Sequence, residues 1–324
     1  MTIPPRLTVL SPMFHDVESF LVLRTAIVEL LDEVAHHPDR APLPSARFVV
    51  VDDSAGRDPA VSQLEVLDDV TVITPPFNLG HQRAIVYGLR SIADEVDAGD
   101  VVVTMDADGE DRPEDLPALI DALLEVSDDR WRVCAARRTH REESLSFKAM
   151  YVGFRLLFRA LTGLEIRSGN YAAFRGLFVH NMLDHPYFDL CYSSALISLT
   201  PDIIMVPCPR GTRYAGQSRM SLEKLLAHGV RMLMPFADRI AIRSLAFFSI
   251  TASLTVLILV TLVISNWIGG YEVPTWTGWL LGASILGSGL ALVNFLVLYS
   301  GFAQSSALSL ARIDPGRRRR DGAT

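Results

Sequence analysis

The chain has 324 residues, of which 49% are hydrophobic and 21% are charged, and its formal net charge is −7. This length suits one large domain with a further segment. The acidic balance excludes a general nucleic-acid-binding protein, because contact with phosphate backbones needs an excess of basic residues. The three cysteines are an odd number without metal-ligand spacing, and Cys134 and Cys208 stand in apolar runs, which predicts buried free thiols.

Short apolar segments alternate with helical segments in the first half of the chain. A helix is predicted over Val17–Val34 and another is predicted to begin near Gly80. This alternation indicates a parallel sheet that is covered by helices. Ligands of such sheets bind beyond the carboxyl ends of the strands, so the residues after each strand are candidates for a site. The predicted strands are Leu7–Leu10, Phe48–Val51, Val70–Ile73 and Val101–Met105.

Acidic residues follow two of these strands. Asp52 and Asp53 come after the second strand, where carboxylates can accept hydrogen bonds from a base edge or from ribose hydroxyls. Asp106, Asp108 and Glu110 alternate along the turn after the fourth strand, so we expect their side chains to converge on one cation. Hard oxygen ligands suit Mg²⁺ or Mn²⁺, and either ion would neutralise a diphosphate leaving group.

Two later segments combine apolar residues with basic ones at helical spacing. They are Phe147–Leu161 and Leu222–Ile240. Basic amphipathic helices beside membrane spans are typical of segments that lie at a membrane surface. The alternative for both is an ordinary helix that packs its apolar face on a core.

Two long stretches near the end of the chain contain no charged residue and no histidine. They are Ser244–Tyr271 and Val273–Ala311. Each is long enough for a membrane-spanning helix, which needs about 20 apolar residues. We predict spans over Ser244–Ser265 and within Trp276–Tyr299, joined as a hairpin by a short loop. Small residues at four-residue intervals in the second span suit either packing within the hairpin or a homo-oligomer contact.

Basic residues flank the predicted hairpin on both sides. Arg239 and Arg243 precede the first span, Arg312 and Arg317–Arg320 follow the second, and the connecting loop has only Glu272. The positive-inside bias therefore predicts an integral protein of the cell (inner) membrane with its N-terminal domain in the cytoplasm. The expected segments are a catalytic domain at 1–220, a juxtamembrane amphipathic helix at 221–243, the two spans at 244–311 and a basic tail at 312–324.

Six motifs follow one another in an order and spacing that resemble a known family. They are Leu7–Pro12, Val51–Ser54, Asn78–Gly80 with Ala84 and Gly88, Met105–Glu114, Arg137–Ser144, and Gly216–Met220. This pattern resembles the family 2 glycosyltransferases, and within them the polyprenyl-phosphate glycosyltransferases of the dolichol-phosphate mannose synthase group and its bacterial relatives with a membrane hairpin. The resemblance implies an α/β domain of GT-A (Rossmann-like) fold, followed by a C-terminal two-helix transmembrane hairpin.

The resemblance also implies roles for individual residues. Nucleotide-sugar binding is expected of Pro12, Asp52, Asp53, Asn78, Gly80, Asp106 and Ala107. Binding of the lipid phosphate is expected of Arg137, Arg141, Ser218 and Arg219. Catalytic roles are expected of Asp108, Asp111 and Arg213, and metal binding of Asp106, Asp108 and Glu110. Two departures from the family pattern are Glu110, which replaces a glutamine, and Asn170, which replaces an aspartate.

The implied activity is metal-dependent transfer of a sugar from a nucleotide-sugar to a polyprenyl phosphate by a single displacement. A UDP-sugar is favoured as the donor, with a GDP-sugar as the alternative. A phosphate monoester is mostly dianionic near neutral pH, so such an acceptor needs positioning by arginines more than it needs a general base. Two other functions stay open: a membrane glycosyltransferase with another lipid acceptor, and a catalytically silent membrane scaffold.

Overall fold

The computed structural model describes residues 5–36, 45–125, 131–138, 145–166, 168–200, 203–215, 222–269 and 274–309. The chain divides into two compact units. The first consists of Met1–Tyr151 and Ile166–Pro235, and the second of Val152–Glu165 and Phe236–Thr324.

The first unit is a seven-stranded sheet with helices between its strands. The strands are β1 (Leu7–Met13), β2 (Ala46–Asp52), β3 (Val70–Ile73), β4 (Val101–Thr104), β5 (Val133–Arg138), β6 (Ala172–Arg175) and β7 (Ile203–Cys208). The helices are α1 (Val17–Ala35), α2 (His81–Ser91), α3 (Leu116–Leu124), α5 (Gly176–Met182), α6 (Tyr192–Leu199) and α7 (Leu222–Leu233). Helix α4 (Leu145–Thr162) belongs to this unit as far as Tyr151.

The strand order is β3-β2-β1-β4-β6-β5-β7. Strands β1 to β4 are parallel to one another, as the sequence predicted, and β7 is parallel to β5. Strand β6 lies between β4 and β5 and is antiparallel to both, with Ala172 opposite Thr104. Because of this reversal, β6 begins at the edge where the parallel strands end. The residue pair just before β6, Asn170 and Tyr171, therefore comes to the same edge as the acidic residues after β4.

The sheet is buried on both faces, which explains the nearly continuous apolar composition of its strands. Successive side chains of a strand point to opposite faces. Val50 accordingly packs in a core with Phe20 of α1, whereas Val49 and Val51 pack in a second core with Leu89 of α2. The buried free thiols predicted at Cys134 and Cys208 are confirmed, and Cys191 is also a buried free thiol.

Helix α2 lies unusually close to the sheet at Gly88. A Cβ atom at this position would overlap Val51 Cγ2 and would lie 2.8 Å from Leu10 Cδ1. Both of these side chains are fully buried, so the sheet has no free space into which they can move. The missing side chain of Gly88 therefore sets the distance between α2 and the two central strands.

We expect Gly88→Ala to lower the free energy of unfolding by about 1–3 kcal/mol, because overpacking outweighs the better helix propensity of alanine. Gly153→Ala in α4 is the matched control, since no atom lies within 4 Å of the added Cβ. That variant should be unchanged or more stable by up to about 1 kcal/mol. Thermal unfolding of the full chain in detergent measures both. Equal stability of the two variants would contradict the close packing of α2.

The second unit contains two long apolar helices, α8 (Ala237–Gly269) and α9 (Trp276–Ser309). They run antiparallel, since Thr251 Oγ1 lies 2.7 Å from Ser288 Oγ and Asn294 Nδ2 donates to Ser244 Oγ at 2.8 Å. Within the described residues, two helical segments are long and apolar enough to cross a membrane, Leu225–Gly269 and Trp276–Gly301. The predicted pair of apolar helices is confirmed.

The segment predicted as one amphipathic helix over Leu222–Ile240 is divided in the structure. Helix α7 ends at Leu233, a short 3-10 turn covers Met234–Phe236, and α8 begins at Ala237. Pro235 explains the interruption, because it has no N–H to donate and its ring clashes with a preceding helical turn.

Within the second unit, the end of α4 contacts the start of α8 and the turn before it. Arg243 Nη1 donates to the carbonyl oxygen of Ala160 at 2.9 Å, and the rings of Phe158 and Phe236 are 5.3 Å apart in an edge-to-face contact. Phe158 is fully buried, but the neighbouring Leu156 is 64% exposed. Helix α4 therefore buries Phe158 against the turn that precedes α8 and presents the apolar side chain of Leu156 outward.

Candidate active site

The candidate site lies where the parallel strands of the first unit end. Met13, the last residue of β1, pairs with Asp52 at the end of β2. Leu10 of the same strand pairs with Thr104, the last residue of β4. Pro12, which was expected to contact the nucleotide-sugar, is a buried residue of β1 and pairs with Val51. The two acidic strand ends that the sequence singled out are therefore brought to one edge of the sheet.

Asp52 and Asp53 both accept hydrogen bonds from the protein backbone. Asp52 accepts from the N–H groups of Ser54 and Gly56, which closes the turn after β2. Asp53 accepts from the N–H groups of Leu79 and Gly80, at 2.6 and 3.0 Å. Burial raises the pKa of Asp53 above its ordinary value, although these backbone N–H groups act in the opposite direction. Both carboxylates thus shape the loops at this edge.

The segment before α2 is tied to the end of β2. Asn78 Nδ2 donates to the carbonyl oxygen of Asp53 at 2.8 Å. Gly80 is the residue before α2 and has a φ of +78°, which a residue with a side chain adopts at a cost. A Cβ atom on Gly80 would meet nothing within 4 Å, so the backbone at the start of α2 borders open space. A ligand can approach the helix N-terminus there.

Residues 106–111 form a tight acidic turn after β4. The backbone N–H of Asp106 donates to Asp111 Oδ2 at 2.9 Å, and that of Glu110 donates to Asp108 Oδ1 at 3.0 Å. Gly109 has a φ of +88°, which lets the chain reverse between these two contacts. The turn brings its four carboxyl groups together at one place.

Three arginines from two elements neutralise this turn. Arg138, the last residue of β5, donates through Nη2 to Asp111 Oδ1 at 2.9 Å. Arg213 follows β7 and contacts Asp108 Oδ2 through Nη2 at 2.7 Å and Glu110 Oε1 through Nε at 2.9 Å. Arg210 Nη2 donates to Glu110 Oε2 at 2.7 Å. The site therefore juxtaposes carboxylates and guanidinium groups at the end of the sheet.

A polar network on the other side of the turn holds Asp106. His81 Nε2 lies 3.1 Å from Asp106 Oδ1, and Asn170 Nδ2 lies 2.6 Å from His81 Nε2 and 3.4 Å from Asp106 Oδ1. Gln82 donates to Asn170 Oδ1 and accepts from the N–H of Ser193 at 2.9 Å. The network joins the start of α2 to the residues before β6 and to α6. It fixes the orientation of the first carboxylate of the turn.

The electrostatics of the turn follow from this pairing. Burial, and then the neighbouring Asp106 carboxylate, raise the pKa of Asp111 to about 7 despite its contact with Arg138. The same two causes raise the pKa of Asp108. Burial acts against ionisation of Asp106 as well, but His81, Arg138 and Asn170 together outweigh it and hold the Asp106 pKa well below its ordinary value. Asp106 and Glu110, whose pKa values are both lowered, are therefore the more readily ionised carboxyl groups of the turn.

The predicted residues differ in how the structure places them. Asp106, Asp108, Glu110, Asp111 and Arg213 are brought together, and Ala107 is buried within the same turn. Arg137 is exposed, whereas Arg138 beside it enters the site. Arg141, Ser218 and Arg219 lie outside the described residues.

Sequence reasoning missed Arg138 and Arg210, and it gave no role to His81. The alternation of side chains along a strand was the available signal for Arg138, because two consecutive arginines of a strand point to opposite faces. No motif marks Arg210, which reaches the site through the fold of the loop after β7.

The donor set fits a divalent cation in part. Asp106 and Asp108 supply hard carboxylate oxygens, and a cation between them would offset the burial and the Asp106 charge that raise the pKa of Asp108. Among the described residues, no group of three histidine, cysteine or acidic side chains is arranged to hold a metal. Glu110 is committed to arginines: burial opposes its ionisation, yet Arg210 and Arg213 lower its pKa. Asp106 and Asp108 are thus the better candidate ligands.

Comparison with known proteins identifies the domain that carries this site. Residues 19–179 match the model of the glycosyl transferase family 2. The chain contains a family 2 glycosyltransferase domain. The predicted family resemblance is confirmed, as is an α/β domain of GT-A type followed by two apolar helices. The matched residues include the acidic turn and Asn170, whereas Arg210 and Arg213 lie beyond them.

One similar protein is the undecaprenyl-phosphate 4-deoxy-4-formamido-L-arabinose transferase of Yersinia enterocolitica, with 27% identity over 156 residues. That match covers 46% of this chain and 43% of the relative, so the two are similar over less than half of the relative's length. Glucosyl-3-phosphoglycerate synthase from Mycobacterium tuberculosis has 15% identity and a TM-score of 0.49, over 73% of this chain and 80% of that one. Mannosyl-3-phosphoglycerate synthase from Rubrobacter xylanophilus has 17% identity and a TM-score of 0.44, over 72% and 74%.

Proposed function

We propose that this chain transfers a sugar from a nucleoside-diphosphate donor to a polyprenyl phosphate at a membrane surface. The observation that carries the proposal is the cluster of Arg138, Arg210 and Arg213 against the acidic turn of a family 2 domain. A phosphate acceptor needs such guanidinium groups, which bind phosphate oxygens through paired N–H donors. The name of the Yersinia relative, an undecaprenyl-phosphate transferase, supports the same acceptor class.

The donor is proposed to bind along the ends of β1, β2 and β4. The turn after β2 and the open start of α2 at Gly80 are the candidate sites for the nucleoside and its diphosphate. We favour a UDP-sugar over a GDP-sugar by analogy with hairpin relatives. Asp106 and Asp108 would hold Mg²⁺ or Mn²⁺, which would complete its coordination with donor phosphate oxygens and neutralise the leaving diphosphate.

The proposed reaction is a single displacement at the anomeric carbon of the donor sugar. An oxygen of the acceptor phosphate forms the new bond to this carbon while the bond to the donor β-phosphate oxygen breaks. The nucleoside diphosphate leaves with the bonding electron pair, so the anomeric configuration inverts. The acceptor is mostly dianionic near neutral pH, and it therefore has no proton that a base must remove. The arginines hold it in position and compensate its charge.

Asp111 is assigned a positioning role in this scheme. Its residue is 3% exposed, and its two carboxylate oxygens contact the N–H of Asp106 and the guanidinium of Arg138. A carboxyl group in these surroundings orients the turn and Arg138. Asp108 and Arg213 are the residues proposed to contact the substrates. The catalytic role expected from the sequence remains a prediction for Asp108 and Arg213.

The membrane arrangement is part of the proposal. Two helices that could cross a bilayer would keep the chain at the membrane that holds a lipid-linked acceptor. Basic residues on both sides of the hairpin favour the inner membrane with the catalytic domain, the juxtamembrane segment 221–243 and the tail in the cytoplasm. The outward apolar side chains of α4, Val152, Leu156 and Leu157, suit contact with lipid at that face.

The test uses the full chain in detergent micelles with undecaprenyl phosphate, Mg²⁺ or Mn²⁺ and a panel of radiolabelled UDP- and GDP-sugars. We expect one donor to yield labelled lipid in the organic phase, and chelation of the metal with EDTA to abolish that label. Diacylglycerol replaces undecaprenyl phosphate in a parallel reaction. Label on diacylglycerol but not on undecaprenyl phosphate would contradict the proposed acceptor. If no donor yields labelled lipid, the result would favour the alternative that the chain is a catalytically silent membrane scaffold.

A further inference from the structure

The loop after β7 is joined to the acidic turn through its backbone. The N–H of Gly211 donates to the carbonyl oxygen of Glu110 at 3.0 Å, and that of Tyr214 donates to the carbonyl oxygen of Asp108 at 2.9 Å. A Cβ atom on Gly211 would overlap the carbonyl oxygen of Gly109, so the two backbones are in direct contact. The loop is therefore held on the turn independently of the arginine side chains that it carries.

The side chain of Glu110 occupies the centre of the arginine cluster. Its Oε2 accepts from Arg210 Nη2 at 2.7 Å, its Oε1 accepts from Arg213 Nε at 2.9 Å, and Arg138 Nη1 lies 3.5 Å from Oε2. Both oxygens of one carboxylate are thus bound by guanidinium groups from two directions. Guanidinium groups recognise carboxylate and phosphate oxygens with the same planar arrangement of N–H donors.

We propose that Glu110 is an internal anion that occupies a phosphate site made by Arg210 and Arg213, and that the acceptor phosphate displaces it. Arg210 thereby becomes a phosphate-binding residue. This inference rests on the proposed function for the identity of the phosphate, since a lipid phosphate is the acceptor there. The binding site itself is defined by the guanidinium groups and binds any accessible phosphate.

The Glu110 carboxylate differs from those of Asp108 and Asp111, which accept hydrogen bonds from backbone N–H groups of the turn. Asp111 is held by the N–H of Asp106, and Asp108 Oδ1 is held by the N–H of Glu110. The Glu110 carboxylate is bound by arginine side chains, and its backbone carbonyl keeps its bond to Gly211. Rotation about its side-chain torsions therefore removes the carboxylate from Arg210 Nη2 and Arg213 Nε without movement of the turn or of the loop, while Arg213 Nη2 keeps its contact with Asp108.

The exchange has a consequence for selectivity. An incoming anion must compete with a carboxylate that is already in contact with both arginines. A monoanion such as chloride offers no more charge than the carboxylate it would replace, and it lacks paired oxygens. A phosphate dianion offers more charge and more acceptor oxygens, so it displaces Glu110 where weaker anions do not.

The test measures the affinity of the full chain in detergent for inorganic phosphate by isothermal titration calorimetry. We expect Glu110→Gln to bind phosphate about tenfold more tightly than the unmodified chain, because the competing charge is removed. Adding Arg210→Met to this variant should remove most of the gain. Glu114→Gln is the matched control, since Glu114 is a glutamate of the same segment with a 63% exposed side chain, and its affinity should not change.

Unchanged or weaker phosphate binding by Glu110→Gln would overturn the inference. If Glu110→Gln loses affinity for Mn²⁺ while its phosphate affinity is unchanged, Glu110 is a metal ligand and the inference is also overturned. If Glu110→Gln does not fold, Arg210→Met alone decides, because it should weaken phosphate binding about tenfold. The two proposals can fail separately. If the phosphate affinities change as expected but the chain transfers no sugar to lipid phosphate, the proposed function is contradicted and the phosphate site is supported.

Discussion

Replacing Asp108 by asparagine is expected to lower the rate of sugar transfer by about a hundredfold or more. The amide keeps the size of the side chain and can still accept the hydrogen bond from the N–H of Glu110. It loses the negative charge that would hold the cation on the donor diphosphate. It also places an N–H₂ group or a neutral oxygen against Arg213, which now contacts the carboxylate at 2.7 Å. The rate of label transfer to undecaprenyl phosphate measures the effect.

The fold of the Asp108→Asn variant should be retained. Burial and the Asp106 carboxylate already raise the pKa of Asp108, so removing its charge relieves repulsion as well as losing the contact with Arg213. Asp97→Asn is the control, because Asp97 is an exposed aspartate that pairs with Arg6 before the start of β4, away from the carboxyl ends of the strands. Its rate should equal that of the unmodified chain. A rate for Asp108→Asn within about threefold of the control would refute the assigned role.

Arg138→Met is expected to lower the free energy of unfolding by about 3 kcal/mol or more near neutral pH. Arg138 Nη2 contacts the carboxylate of Asp111, which is 3% exposed, and methionine would leave that carboxylate buried without its counter-charge. Arg137→Met is a matched control on the neighbouring residue of the same strand, where the arginine is exposed. The control should change stability by less than about 0.5 kcal/mol.

The loss in Arg138→Met should increase with pH. The pKa of Asp111 is about 7 in the folded chain, above its ordinary value of 3.8, so the folded state binds a proton that the unfolded state releases between these values. Stability therefore falls as the pH rises through this range. Without Arg138 the folded pKa rises further, and the loss continues above pH 7. Unfolding at about pH 6 and about pH 8.5 should show the larger deficit at the higher pH.

Adding Asp111→Asn to Arg138→Met tests the cause of this deficit. The double variant has no buried charge at this position, so it should recover part of the stability and lose the increase with pH. A deficit that is equal at both pH values in the single variant would show that lost packing of the arginine, and not the charge of Asp111, destabilises the chain.

The sequence predicted the acidic strand ends because their signals are local. A run of apolar residues such as Phe48–Val51 identifies a buried strand, and the carboxylates that follow it must then lie at the ligand-binding edge. The two apolar helices were predicted for a similar reason, since length and composition alone identify them. Local patterns of this kind need no knowledge of which strands are neighbours.

The partners of those carboxylates were not predictable, because they depend on pairings between distant residues. Asn170 reaches Asp106 because β6 lies antiparallel to β4, which no local pattern states. Glu110 was expected to bind metal from its spacing with Asp108, but it contacts arginines that follow β7, 100 residues or more along the chain. The difference between Arg137 and Arg138 depends on the face that the end of β5 presents.

The order of the site residues along the chain separates the two halves of the proposed chemistry. The carboxylates of the site all precede Arg112, whereas the three guanidinium groups come from β5 and from the loop after β7, and Asn170, which contacts Asp106, also follows β5. A genetic crossover between α3 and β5 would therefore exchange the guanidinium groups together with Asn170 and keep the carboxylates. Under the proposed function, such a crossover would change the groups proposed to bind the acceptor, and the two parts would stay joined in the protein by backbone contacts such as that of Gly211 with Glu110.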